Sequence, residues 1–137
     1  MKQIELFDTN HIRESMDKMQ SAMYPVDGND FVEHYFGPGT YVRQGYLPAG
    51  HIYMGKIHRE ACVNILVQGT ICILSEEGKK LISAPYTFVS GPGIRKAAYA
   101  VTDVILVNVH QNPTNTKDLE ELEQQIIAPD FKALEHL

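Results

Sequence analysis

The sequence predicts an all-β domain, a barrel or a sandwich, with a flanking N-terminal helix and a short C-terminal helix. Between about residues 31 and 110 the chain consists of short runs rich in Val, Ile, Thr and Tyr, broken by Gly, Pro and Asn. Such runs at roughly 8–12-residue spacing, with no helical repeat between them, indicate a barrel or a sandwich. An apolar 3.6-residue repeat is found only near the two ends of the chain.

The composition is that of one globular domain. A chain of 137 residues is long enough to bury a core of its own. We divide it into an N-terminal helical arm at about 1–30, a β-barrel at about 31–112 and an acidic helical tail at about 113–137. The net charge of −5 lies mainly in residues 117–137, where six acidic residues stand against two lysines. Because nucleic acids need a basic face, we expect no nucleic-acid partner.

The chain carries no sequence signal for a membrane or for secretion. No apolar run approaches the roughly 18–20 residues that cross a bilayer. The first ten residues, MKQIELFDTN, lack the apolar core of a signal peptide. We therefore expect no membrane partner and a cytoplasmic location. Cys62 and Cys72 both lie in apolar runs, which favours free thiols over a disulfide in that compartment.

Two helices are predicted from the spacing of apolar residues. Residues 10–23 follow a helical repeat after a plausible N-cap at Asn10, and the repeat consists of Ile12, Met16, Met19 and Met23. We interpret this methionine stripe as a face that packs on the domain. The second helix is predicted at 117–127, with its apolar face formed by Leu119, Leu122 and Ile126.

Eight β-rich runs fill the middle of the chain. They are predicted at residues 40–47, 51–58, 62–68, 70–75, 79–83, 86–89, 96–101 and 103–110. Turn residues separate them at Gly69, at Glu77-Gly78 and at the segment 91–93, whose sequence is GPG. In such strands alternate residues share a face.

Residues 50–69, GHIYMGKIHREACVNILVQG, are the most informative segment. A glycine stands at each end, and Lys56, His58 and Cys62 lie between them at a fixed spacing. The segment resembles the first motif of the cupin superfamily, G-x5-H-x-H-x3-E-x6-G, whose His and Glu positions are metal ligands. His58 matches the second His, whereas Lys56 replaces the first His and Cys62 replaces the Glu.

A weaker second motif supports the same resemblance. The second cupin motif reads G-x5-P-x-G-x2-H-x3-N, and here Lys96 follows Gly93 at the place where cupins commonly have another His. The stretches GKIHREACVNIL, APYTFVSGPG and TDVILVNVH also look like small single-domain cupins of phage and bacterial genomes. The resemblance spans about residues 40–110 and implies a cupin-type jelly-roll barrel with a ligand pocket inside. A phage origin would place the protein in the host cytoplasm.

Because alternate residues of a strand share a face, the motif identifies a set of candidate site residues. If His58 points into the barrel, Lys56 and Met54 share its face, and on the last strand His110 shares a face with Leu106. We expect polar residues at the mouth and apolar walls below them. The candidate ligand-binding residues are Lys56, His58, Cys62, Lys96, Met54, Tyr99, Leu106 and His110.

The lysines argue against the standard metal centre of the family. A protonated amine cannot ligate a divalent cation. We therefore expect a barrel without a metal, in which Lys56 and Lys96 attract an anion and His58 adds hydrogen bonds. The alternative is a divalent ion, Fe, Mn, Ni or Zn, bound by His58, Cys62 and His110.

Three hypotheses about function follow. The first is a cupin that senses or sequesters a small anionic metabolite or a nucleotide-like ligand. The second is a metal-dependent enzyme of the oxygenase, isomerase or lyase kind that uses His58 with Cys62 or His110; a metal-free variant would use His58 as the base and Lys56 to hold an enolate or carboxylate. The third is an oligomeric interaction module. In all three the expected partner is a second copy of the chain, as a homodimer or higher homo-oligomer.

Overall fold

The computed structural model describes residues 13–14, 16–18 and 31–129. Strands dominate this part of the chain, and helix α1 (Leu119–Ile126) follows the barrel. The strands are β1 (Val32–Gly37), β2 (Thr40–Leu47), β3 (Ile52–Met54), β4 (Ile57–His58), β5 (Cys62–Gln68), β6 (Thr70–Ser75), β7 (Gly78–Ser83), β8 (Tyr86–Ser90), β9 (Ala97–Ala100), β10 (Val104–Gln111) and β11 (Ile127–Ala128).

The strands form two main sheets and one short pair. The larger sheet has the order β1-β2-β10-β5-β8, the smaller has the order β3-β9-β6-β7, and β4 pairs with β11. All pairs are antiparallel, and neighbours such as β2 and β10 are far apart in the sequence. Long connections of this kind distinguish a jelly roll from an up-and-down barrel. The prediction of an all-β jelly roll with short helices is confirmed.

The hydrophobic core lies between the two main sheets. In β6 every second residue is buried, which turns Ile71 and Ile73 toward the larger sheet. The larger sheet contributes Leu66 and Val104, both at most 1% exposed. The cluster of buried residues consists of Leu66, Ile71, Ile73, Ala98, Ala100 and Val104.

The N-terminal helix is described only in part. Arg13, Glu14 and the segment 16–18 are helical, and Met16 is fully buried. Met16 packs with Ala97, Met54 and Leu74. Because Ala97 alternates with the core residue Ala98, this contact lies on the outer face of the smaller sheet. The predicted N-cap Asn10 and the rest of the stripe, Ile12, Met19 and Met23, lie outside the described residues.

The tail forms the predicted second helix and then returns to the barrel. Asp118 caps α1 by accepting hydrogen bonds from the backbone N–H groups of Glu120 and Glu121. Leu122 is buried, whereas Leu119 is 45% exposed and does not belong to the packed face. Strand β11 then pairs with β4, a contact that the sequence did not predict. No helix within the described residues is long and apolar enough to cross a membrane.

The glycines at the two ends of the segment 50–69 are explained by backbone geometry. Gly50 and Gly69 have φ angles of +84° and +90°, which side chains other than glycine rarely adopt. At Gly69 a Cβ atom would also lie 2.2 Å from the backbone oxygen of Asp103. The spacing of this motif is therefore a signature of two tight turns and predicts the fold independently of any metal.

Candidate functional site

The candidate site is built on the inner faces of β5 and β10. These strands pair with Leu66 opposite Leu106 and Asn64 opposite Asn108. Directly paired residues point to the same side of a sheet, so the core position of Leu66 shows that both sets face the barrel interior. Cys62 and His110 lie one step further along the same faces. The predicted alternation on the last strand, apolar at Leu106 and polar at His110, is observed.

His58 reaches this interior from the short strand β4. Its backbone is held on both sides, since it pairs with Ile127 of β11 and its carbonyl oxygen accepts a 2.8 Å hydrogen bond from the N–H of Gly93. The His58 ring meets the ring of His110 edge-on, with centroids 4.9 Å apart and an interplanar angle of 86°. Its Nδ1 atom is buried and has no hydrogen-bond partner among the described residues.

His58, Cys62 and His110 form a compact cluster of metal-ligating groups. One donor atom from each residue lies within 4.8 Å of the others. The Sγ atom of Cys62 is 3.9 Å from Nε2 of His110. Both residues are largely buried, at 1% and 7% exposure. The structure thus brings together the three residues that the sequence had suggested as an alternative metal site.

Burial changes the protonation of all three groups. Burial, together with electrostatic interactions with His110, Lys96 and Arg43, lowers the pKa of His58 to about 3. Burial, together with the charges of Arg43 and Lys96, lowers the pKa of His110 to about 4. The pKa of the Cys62 thiol is raised by burial, which Lys96 partly opposes. Near neutral pH the two imidazoles are therefore uncharged, with a lone pair free to ligate, and the thiol keeps its proton.

Lys96 reaches the buried polar side chains of β5 and β8. Its ammonium group donates to Oδ1 of Asn64 at 3.0 Å and to Oγ of Ser90 at 2.7 Å. It also lies 5.2 Å from the centroid of the Phe88 ring, within the range of a cation–π contact. Burial lowers the pKa of this amine. Lys96 is thus a desolvated cation with an apolar wall beside it.

Asn64 connects Lys96 to the cluster. Its Oδ1 atom accepts hydrogen bonds from Lys96 and from Nδ2 of Asn108, the latter at 2.6 Å, and lies 3.8 Å from the Cys62 sulfur. Its own amide nitrogen donates to Oγ of Ser90 at 2.7 Å. Asn64 is completely buried, so its side chain has one orientation that satisfies all these partners. We did not predict Asn64, Ser90 or Asn108 as site residues, although alternation from Cys62 and His110 points to two of them.

An aromatic pair extends the site toward β1. The His110 ring stacks on the ring of Tyr41, with centroids 5.8 Å apart. The Tyr41 hydroxyl in turn makes a 2.7 Å hydrogen bond with Nδ1 of His34. This stacking fixes the plane of the His110 ring and therefore the direction of its nitrogen atoms.

The structure corrects the expected placement of Lys56. The run 51–58 was predicted as one strand, but it breaks between β3 and β4, and the alternation that linked Lys56 to His58 is lost. The backbone N–H of Gly55 instead bonds to the carbonyl oxygen of Lys96. The Lys56 side chain is 59% exposed and forms an ion pair with Glu123 of α1. It does not lie with His58 in the barrel.

Two further candidates also lie outside the barrel. Met54 packs against Met16 on the outer face of the smaller sheet, because it pairs with Ala97, which faces the same way. Tyr99 is 46% exposed, since it alternates with the inward-facing Ala98 and Ala100 of β9. Neither side chain is placed to form a wall of the site, a role that remains for Leu66 and Leu106.

A narrow cleft leads from the surface to Lys96. It runs between β7 and β8, with a volume of about 50 Å³. Its inner end is formed by Lys96, Ser90 and Phe88, and its sides include Ile73 and Ile82. This volume is enough for a water molecule or another small polar group.

Comparison with solved structures shows that the arrangement of the strands belongs to a known fold. A Cupin 2 conserved barrel domain protein from Salinispora arenicola superimposes with a TM-score of 0.55 at 13% identity, over 67% of this chain and 89% of that chain. A protein from Neisseria meningitidis gives a TM-score of 0.51 at 13% identity, over 71% of this chain and 96% of the other. This chain has the cupin fold.

An enzyme is also among the similar structures. Salicylate 1,2-dioxygenase from Pseudaminobacter salicylatoxidans superimposes with a TM-score of 0.58 at 13% identity over 86% of this chain. This chain matches only 35% of that enzyme's length. At such low identity the likeness concerns the fold alone. No protein-family profile and no curated protein matches the sequence.

Proposed function

We propose that this chain is a metal-dependent cupin that acts on a small molecule inside its barrel, with a divalent ion held by His58, Cys62 and His110. The observation that carries the proposal is the convergence of three donor atoms within 4.8 Å of one another. They come from three different strands, so the convergence is a property of the fold and not of one local turn.

The donor distances fit a metal ion after a small adjustment. Metal–nitrogen and metal–sulfur bonds of roughly 2.0–2.3 Å place the donors of a tetrahedral site about 3.3–3.6 Å apart. The Cys62 sulfur and Nε2 of His110 are 3.9 Å apart. Closing the site thus needs side-chain movements of about 1 Å or less. The unpartnered Nδ1 atom of His58 further supports a missing ligand, because a buried polar atom without a partner costs about 1–3 kcal/mol.

The donor set narrows the choice of metal. Imidazole and thiolate suit zinc and iron, whereas magnesium, calcium and manganese prefer oxygen ligands. Three protein ligands are typical of catalytic zinc sites, which keep a position for water or substrate. A bound divalent ion would supply Lewis-acid activation of a water molecule or a substrate oxygen. This chain would then bind its metal in the same cavity as other cupins, but through a set of ligands that differs from the usual His and Glu residues.

The surrounding residues prepare Cys62 and the histidines for this role. The low pKa values of His58 and His110 keep both rings neutral, as ligation requires. Cys62 has to lose its proton, and the positive charge of Lys96 favours the thiolate. Tyr41 holds the His110 ring by stacking. Lys96 donates hydrogen bonds to Asn64 and Ser90 and is not one of the proposed ligands.

Elemental analysis tests the proposal directly. Untagged protein, purified without chelators, is expected to contain close to one equivalent of zinc or iron per chain. His58→Ala, Cys62→Ser and His110→Ala should each lose it, whereas His51→Ala, at an exposed histidine near β3, should retain it. Cobalt substitution should give a thiolate-to-cobalt charge-transfer band that Cys62→Ser removes. A wild-type protein that binds none of these metals, or a His51→Ala variant that loses them equally, would refute the proposal.

Binding without chemistry is the second candidate. It is favoured by Lys96, a cation inside the barrel whose hydrogen-bond partners, Asn64 and Ser90, are both neutral. A sensing or sequestering protein would return its ligand unchanged, whereas an enzyme would convert it. Mass spectrometry of a ligand recovered after incubation with metal-loaded protein separates the two.

A further inference from the structure

Two cations face the interior of the barrel near the cluster. Arg43 lies on β2 directly opposite the inward-facing Asn108 of β10, and Lys96 bonds to Asn64 on the other side of the same polar layer. Asn108 donates a 2.6 Å hydrogen bond to the same Oδ1 atom of Asn64 that accepts from Lys96. The two cations therefore border one layer of buried polar side chains, which continues to Cys62 on β5 and His110 on β10.

Neither cation has a carboxylate partner within the described part of the chain. The ion pairs there are Arg13–Glu76, Lys56–Glu123 and Arg95–Asp17. Arg43 rests over the Tyr53 ring, 5.5 Å from its centroid. The charge of Glu77 acts on Lys96, but its oxygens lie beyond the 4.0 Å of an ion pair. Partly buried cations without an anion are costly, so they indicate a site that an anion completes.

Apolar side chains lie on one side of these cations, and the cleft beside Lys96 is also lined by Ser75, Glu77 and Ser90. Leu66 and Leu106 lie one layer below Asn64 and Asn108 on β5 and β10, and Phe88 lies beside Lys96. The cleft between β7 and β8 leads to Lys96 and has room for a group the size of a carboxylate. Charged groups above apolar walls are the arrangement expected for an organic acid, whose hydrocarbon part needs burial.

We propose that Arg43 and Lys96 together hold the carboxylate of a small organic acid in the barrel, beside His58, Cys62 and His110. Arg43 offers a planar fork of donors that matches the two oxygens of a carboxylate, and Lys96 adds a compact charge. The inference deepens the proposed function, on which it rests for the small molecule in the barrel, by naming the class of that molecule. Metal content and carboxylate binding are separate measurements, so either proposal can fail alone.

The test uses benzoate and pyruvate as carboxylate probes, with benzamide as a neutral counterpart and inorganic phosphate as a second anion. Each is titrated into the full chain, metal-stripped and metal-loaded, by thermal shift and calorimetry. A carboxylate should raise the melting temperature by mass action. Arg43→Gln and Lys96→Met should each weaken binding roughly tenfold or more, which corresponds to about 1.4 kcal/mol. Lys56→Met, which removes an exposed lysine of the outer surface, is the matched control and should bind like the wild type.

Several outcomes would overturn the inference. These are a wild type that binds neither carboxylate, equal binding of benzamide and benzoate, binding of phosphate alone, and unchanged carboxylate binding in both charge variants. If Lys96→Met does not fold, Arg43→Gln decides the matter, since Arg43 makes no ion pair with the described residues. Carboxylate binding by a chain that takes up no metal would refute the metal centre and leave this inference standing. A chain that binds one equivalent of metal but no carboxylate would refute this inference and leave the metal centre standing.

Discussion

The sulfur of Cys62 lies 3.9 Å from Nε2 of His110, across the antiparallel strands β5 and β10. This proximity depends on a β-bulge. At one end of the pair Ile105 is opposite Gln68, but the next residue, Leu106, is opposite Leu66, so Val67 is left without a partner. A register without the bulge would turn the face of Cys62 outward relative to that of His110, because a one-residue slip reverses every side chain.

The first prediction concerns the reactivity of the two thiols. Cys62 is 1% exposed and its pKa is raised by burial, whereas Cys72 is only partly buried. Since the thiolate is the reactive species, iodoacetamide should label Cys72 much faster than Cys62 in folded, metal-free protein. Peptide mass spectrometry at successive times measures both rates. In guanidinium chloride the two rates should become similar. Faster labelling of Cys62 in the folded state would contradict the buried position of its sulfur.

The second prediction concerns Gly69. Its φ of +90° and the 2.2 Å approach of a Cβ to the Asp103 oxygen should make Gly69→Ala destabilising by about 2–4 kcal/mol. Gly37 is the control, because a Cβ there meets no atom within 4 Å. Urea unfolding of both variants gives the comparison. A similar loss in Gly37→Ala and Gly69→Ala would show that the motif glycine is not required by the turn.

The fold could be predicted because its signals are local. Alternation within short runs identified most strands, although β1 and β11 were not predicted. The spacing of Leu122 and Ile126 identified α1, and the two motif glycines marked turns that need a positive φ. Each of these signals depends on neighbours a few residues apart. Their agreement is what specifies a single architecture.

The site was predicted only in part because its geometry depends on contacts between distant residues. His58, Cys62 and His110 were found from motif spacing and alternation. Lys56 was misplaced because the strand break that follows Met54 arises when β4 leaves the smaller sheet to pair with β11, some 70 residues away in the chain. Asn64 was overlooked because a buried asparagine is recognised by its partners, which come from two other strands and a loop.

The third prediction concerns stability against pH in metal-free protein. The folded-state pKa values of His58 and His110 are about 3 and 4, below the usual value of 6.5. At pH values between the folded-state pKa of each ring and its usual pKa, the unfolded chain binds more protons than the folded chain. The stability that the neutral rings contribute is therefore complete above about pH 6.5 and is lost as the pH falls toward 4, with a slope of at most about 1.4 kcal/mol per pH unit for each ring.

Urea unfolding at several pH values between about 4.5 and 7 measures this slope. His58→Gln and His110→Gln should each make the dependence shallower, because glutamine does not titrate. His51→Gln, at an exposed position, should leave the slope as in the wild type. Identical slopes in all four proteins would mean that neither ring is kept neutral by the fold.

The fourth prediction concerns the coupling between Asn64 and Lys96. Asn64→Leu removes the acceptor of Lys96 and of Asn108 and should destabilise the protein by about 3 kcal/mol, because a buried cation and an amide lose a partner. Lys96→Met removes the cation and should cost less by itself. In the double variant the charge is no longer stranded, so the combined loss should be smaller than the sum by about 1–2 kcal/mol. Urea unfolding of the wild type, the two single variants and the double variant measures this coupling energy. Simple additivity would show that the 3.0 Å contact between Asn64 and Lys96 does not organise the interior of the barrel.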